Sequence, residues 1–137
     1  QHGGTMVPTF DELLAQVDVV DIVTPNDAHA EFTIGAAKAG KHVFVEKPLA
    51  HNLETARTVV AELEGHTQSV VMVGHVVRYF PEFRRAAELI DSGKIGRVAA
   101  ARVRRGGGVP QGAQGWFTDH TRSGGVFIDL AVHDFDW

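Results

Sequence analysis

"KHVFVEKPLA", residues 41–50, places Val43, Phe44 and Val45 in succession and then stops at Glu46, Lys47 and Pro48. Apolar residues at consecutive rather than alternate positions suit a strand covered on both faces, and such strands belong to parallel sheets flanked by helices. Pro48 cannot donate to a ladder, so the strand ends there with the Lys47 ammonium at its carboxyl end. Upstream, "AEFTIGAAKAG" (30–40) reads as a helix whose Gly40 suits a left-handed C-cap, and before it "VDVVDIVT" (17–24) is a second buried strand stopped by Pro25. Thr9 caps a short amphipathic helix, "FDELLAQ", ahead of that strand. Downstream, Asn52 caps "LETARTVVAELE", Gly65 ends it, and "SVVMVGH" (69–75) supplies a third apolar strand. Strands alternating with helices predict an α/β fold with a parallel sheet.

Beyond residue 76 the pattern changes, and a domain boundary is set between 1–76 and 77–137. Pro81 opens the helix "EFRRAAELIDSG", closed near Gly93, and "IGRVAAARVRR" (95–105) alternates like a strand with one solvated face. A glycine-rich stretch, 106–125, contains "QGWFTDHTRSGG" and has the length of a functional or disordered loop. It leads into "VFIDLAVHDFDW", where helical spacing puts Asp129, His133 and Asp136 on one face. Three strands and two crossovers make a poor free-standing core, so a piece of something larger is expected, with open edges covered by association or left partly disordered.

Composition narrows the function classes. The 137 residues are 44% hydrophobic, enough for one core, and carry a formal net charge of -4. Basic residues are scattered apart from "RVRR" at 102–105, which argues against a nucleic-acid partner. The absence of cysteine excludes disulfides and thiolate metal sites and fits a reducing compartment, the cytoplasm by default. No apolar run reaches the roughly 18–20 residues of a membrane span, and the first ten residues lack the regions of a signal peptide.

In open parallel sheets, ligands bind beyond the carboxyl ends of the strands. The first strand ends in Thr24, Pro25 and Asn26, with His29 close behind; the second ends in Glu46, Lys47 and Pro48, and the third in His75 followed by Arg78. Their agreement at one edge marks a crevice. Plainer readings stand beside the functional one. Lys47 can be a surface charge partnered by Glu46; Thr24 and Asn26 can be helix caps; Asp129 and His133 can be an i,i+4 surface pair. Asp129, His133 and Asp136 also have the chemistry of divalent-metal ligands, although no fourth ligand is evident and no metal is expected.

Together, "TPNDAH", "VEKPLA", "GHVVRYFP" and "GGVFIDLAVHDFDW", in this order, resemble the glucose-fructose oxidoreductase, inositol dehydrogenase and rhizopine catabolism (Gfo/Idh/MocA) family over nearly the whole chain. The resemblance implies the second half of a Rossmann-like sheet followed by the start of an incomplete α/β C-terminal domain. It implies hydride transfer between NAD or NADP and a sugar, inositol or related polyol, in a homo-oligomer. Carried over by position, Lys47 hydrogen-bonds the reacting oxygen, and Asp129 and His133 complete a catalytic set with His133 as acid or base. Thr24, Pro25, Asn26, His29, Glu46 and Pro48 border the cofactor together with Lys47. Arg78 and Trp116, with His133, are implied at the substrate, and Pro81 opens the second domain. Asp129 is expected to orient the imidazole, and the loop over 106–123 to set substrate identity.

Two departures qualify this. The G-x-G-x-x-G phosphate-binding turn is absent, so the isolated chain is expected to be inactive. The family's glycine triplet reads Ser123, Gly124, Gly125, and Ala131 stands in place of a glycine. A non-catalytic dinucleotide-sensing or protein-binding relative is the alternative, which retention of Lys47, Asp129 and His133 together disfavours.

Overall fold

Thr9 begins the first helix as its hydroxyl allows, accepting from the Glu12 amide at 3.2 Å, and α1 spans Phe10–Leu14. The computed structural model describes residues 3–108 and 113–137; residues 1, 2 and 109–112, the latter inside the glycine-rich loop expected to set substrate identity, lie outside the described residues. Three strands follow, β1 (Val19–Ile22), β2 (His42–Glu46) and β3 (Val71–Gly74), in the spatial order β1-β2-β3 and all parallel. Val20 lies opposite Val43, and Val43 opposite Val71. The register brings the carboxyl ends of all three strands to one edge of the sheet.

Helix α2 (His29–Lys38) connects β1 to β2 and α3 (Leu53–Glu64) connects β2 to β3. Gly40, at φ +72°, follows the end of α2 in the left-handed conformation anticipated for it. Asn52 caps α3, its side chain accepting from the Thr55 amide at 2.8 Å. Val43 and Val45 of the opening stretch sit in the larger apolar cluster with Leu14, Val20, Ile22 and Ala36, while Ala30, Ala50 and Val59 form a second cluster under α2 and α3. Each fully buried valine contributes about 1.5–3 kcal/mol relative to exposure, which is why these consecutive apolar residues fix the strand.

Past β3 a single 3₁₀ turn (Val76–Tyr79) leads to α4 (Pro81–Asp91), with Pro81 in its first turn and no buried residue. The strand anticipated over 95–105 is not formed. No sheet pairing is made by this stretch, and Val98 and Val103 stand about half exposed. Alternation becomes a strand only where a neighbouring backbone completes the ladder. The chain then forms a 3₁₀ helix (Ala113–Thr118) and three short helices, α5 (His120–Ser123), α6 (Gly125–Asp129) and α7 (Val132–Asp136).

The single helix anticipated after residue 125 is therefore broken at Leu130 and Ala131. In a continuous helix the Asp129 carbonyl would accept from the His133 amide. It accepts instead from the Lys47 ammonium, while the Leu130 and Ala131 amides share the Val126 carbonyl. No helix among the described residues is long and apolar enough to cross a membrane.

Candidate functional site

The Lys47 side chain starts from the end of β2 and reaches the last residue of α6, where Nζ donates to Asp129 Oδ1 at 3.1 Å as well as to the Asp129 carbonyl. The same Oδ1 accepts from Asn26 Nδ2 at 3.0 Å, and that amide also donates to the Ser123 carbonyl at 3.0 Å. Asn26 and Asp129 are both buried, so one carboxylate collects an ammonium and an amide in a place largely shielded from water. The expected partner Glu46 instead accepts from the Lys47 backbone amide, at 3.2 Å. Lys47 is thus no free surface charge.

His133 enters from α7, its Nδ1 buried without a hydrogen-bond partner. Burial pushes its pKa below the ordinary histidine value, and the positive charges of Lys47, Arg105 and His75 push the same way, against a smaller opposing effect of Asp134. The ammonium of Lys47 and the imidazole therefore share one electrostatic neighbourhood. Asp129, however, does not orient the imidazole as its spacing suggested: the helix break turns its carboxylate toward Lys47 and Asn26.

The residues after β1 divide into two kinds. Thr24 keeps a buried hydroxyl with no partner at the carboxyl end of the strand, beside Pro25, and so has a hydrogen-bonding atom to offer a ligand. His29, placed at the cofactor by the motif, is 1% exposed, and both ring nitrogens lie 2.7 Å from backbone carbonyl oxygens, of Pro48 and Thr24. No ring nitrogen is left for a ligand; His29 ties the turn after β1 to the turn that carries Lys47. The Lys47–Pro48 peptide bond is cis. Asn26 likewise spends its amide nitrogen on Ser123 and Asp129.

Arg78, placed at the substrate by the motif, grips Asp136 through Nε at 2.6 Å and Nη2 at 2.7 Å. That bond depresses the Asp136 pKa, with burial opposing and the charges of His75 and Arg78 assisting. Arg105 makes the equivalent fork with Asp134, holding that carboxyl low in turn. An open cavity of about 420 Å³ lies beside Asp129, lined among others by Arg105, Phe117, Thr118, His120 and Leu130. Trp116 does not line it; its ring stacks on Phe117, with centroids 3.9 Å apart, and Phe117 faces the space.

Sequence reasoning passed over Arg105, Phe117, Thr118 and His120. Their signals were slight: Arg105 directly precedes three glycines, and Phe117 neighbours the tryptophan that was chosen. Gly124 (φ +80°) lets the loop close on the site, because a Cβ there would collide with the His51 carbonyl oxygen.

A nicotinamide ring beyond the carboxyl ends of β1 and β2 fits this donor set, since the orphaned Thr24 hydroxyl and the Lys47 ammonium both lie at that edge. The phosphate-binding glycine turn is not among the 137 residues.

Comparison with known proteins agrees with this arrangement. The family described as "Oxidoreductase family, NAD-binding Rossmann fold" matches residues 2–75, and the "GFO/IDH/MocA C-terminal domain" matches residues 83–137. The 1,5-anhydro-D-fructose reductase of Ensifer adhaerens is 41% identical, the match taking in 97% of this chain and 40% of the relative. The inositol 2-dehydrogenase of Rhizobium meliloti (strain 1021) is 36% identical over 97% of this chain and 39% of its own. Among solved structures, a levoglucosan dehydrogenase in complex with NADH and levoglucosan superimposes with a TM-score of 0.74 at 30% identity, covering 93% of this chain and 36% of that one. This chain spans about 40% of the length of the curated relatives it matches.

Proposed function

We propose, from the fact that this chain belongs to the GFO/IDH/MocA family of NAD-binding oxidoreductases, that it supplies the nicotinamide end of the cofactor site and the proton-handling side chains of a dehydrogenase acting on a sugar, inositol or related polyol. The single observation that carries the reading is the meeting of Lys47 and Asp129 in the electrostatic neighbourhood of His133, whose buried Nδ1 has no partner and whose pKa is lowered first by burial and then by nearby positive charge. Relatives named for inositol and for an anhydro sugar support this substrate class.

Thr24, Pro25, Glu46 and Pro48 border the nicotinamide, which when bound accepts hydride from the alcohol carbon. His133 is the base. Its lowered pKa keeps the imidazole neutral at neutral pH, so its ring can take the hydroxyl proton. Lys47 stabilises the negative charge that develops on the same oxygen, and Asp129 with Asn26 holds the ammonium in place. Pro48, buried, and His29 behind it keep the Lys47 turn fixed.

Turnover requires a longer polypeptide that supplies the glycine turn; the 137 residues alone are inactive. The test is reduction of NAD and of NADP, assayed separately against a panel of polyols, by a polypeptide carrying this segment together with that turn. Lys47→Ala is expected to lower kcat by roughly 10²–10³-fold. Unchanged kcat in that variant, or cofactor binding without turnover of any polyol, overturns the reading.

A further inference from the structure

Each cationic side chain that joins the strand ends to the loops around the cavity is matched by an aspartate. Arg105, which alone among lysines and arginines of the described residues lines the cavity, meets Asp134 through Nη2 at 2.7 Å and Nε at 2.9 Å. Lys47, not itself among the lining residues, is held at 3.1 Å by the carboxylate of Asp129, which is. Arg78 grips Asp136 at 2.6 Å, and Arg122 meets Asp27 at 2.7 Å. Arginine's strength as an anion receptor lies in its two-toothed face, and for Arg105 the protein has already filled that face.

The charge balance around the cavity has a consequence for what can enter. A phosphate or carboxylate would shed water, face the Asp129 carboxylate and find no unpaired guanidinium or ammonium among the lining residues described. His120, the other basic group on the wall, is exposed and its charge is screened by solvent. A neutral polyhydroxylated ring meets no such penalty. Asp129 and Thr118 offer acceptors, Thr118 and His120 offer donors, and Phe117 offers an apolar face.

We infer that this cavity selects uncharged sugars and polyols and rejects their phosphorylated and carboxylated counterparts, with the Arg105–Asp134 pair acting as the charge filter. The inference rests on the proposed dehydrogenase function, takes the cavity beside Asp129 as the place where its polyol binds, and narrows that reading. Equilibrium binding of D-glucose, D-glucuronate and D-glucose 6-phosphate, which share one ring, tests it on a polypeptide carrying this segment together with the glycine turn, as wild type and as Asp134→Asn. Wild type should bind glucose at least as tightly as either anion. Asp134→Asn, which frees the Arg105 fork, should shift the ratio toward the anions by about tenfold. Adding Arg105→Gln to that variant should return the ratio to the wild-type value. Tenfold tighter binding of either anion to wild type, or no shift in Asp134→Asn, overturns the filter while leaving a sugar site in place. If none of the three sugars binds either form, the polyol reading itself falls and the filter with it.

Discussion

Residues 3–75 and the described residues of 76–137 hold themselves together by different forces. Among the described residues nearly every buried apolar side chain lies in the first region, from Leu14 to Val59, with Val77 the one beyond it. In the second, Phe80, Ile95, Val98, Phe127 and Phe135 are exposed, and the buried polar residues among those described are Ser123 and Asp129. The first region is a small sheet packed by apolar burial. Polar contacts dock the second onto it: Asn26 to Ser123 and Asp129, Lys47 to Asp129, and Arg122 to Asp27. The residues that form the candidate site are thus also the joint between the regions, and chemistry and docking stand or fall together.

Substitutions that separate packing from docking sharpen this contrast. Val45→Ala removes two carbons from the fully buried centre of the sheet and should cost about 2–3 kcal/mol in denaturant unfolding, with the whole chain affected. Gly124→Ala puts a side chain where the backbone is left-handed and the His51 carbonyl leaves no room. Roughly 1–2 kcal/mol follows from the backbone conformation alone. Its effect should be local: hydrogen exchange should quicken over 120–137 while the amides of β2 stay protected, and equal loss in both regions would break the distinction drawn here. Arg78→Ala should be the mildest, because Arg78 is 57% exposed at its side chain and solvent screens its pairing with Asp136. Faster exchange confined to 132–137 is the expected result.

The same contrast governs what the sequence disclosed. Runs such as "HVFVE" identify themselves because burial on both faces needs only apolar residue types, and the caps at Thr9 and Asn52 follow from local hydrogen bonding. The ends of the strands, and Lys47 at one of them, were legible for that reason. What periodicity could not convey was competition from distant groups. Helical spacing joined Asp129 to His133, yet Lys47, 82 positions away from Asp129, captures the carbonyl a continuous helix would use. His29 looked like a cofactor neighbour because it follows the end of the first strand within the motif "TPNDAH"; only the fold brings the carbonyls of Thr24 and Pro48 to its two nitrogens. The stretch 95–105 carries a strand's pattern without a ladder to join.

Acid should weaken the joint before it weakens the sheet. Because the His133 pKa is lowered on folding, the unfolded chain takes up the proton first as pH falls through the ordinary histidine range, so stability declines from that point downward until the folded form is protonated as well. Above that range His133 contributes nothing to the pH dependence.

The most direct measurement is therefore an NMR titration of the His133 ring in the wild-type chain and in Lys47→Ala. Convergence of the two side chains predicts a midpoint below that of an unperturbed histidine, rising when the ammonium is removed. A midpoint at or above the unperturbed value, indifferent to the loss of Lys47, would contradict it.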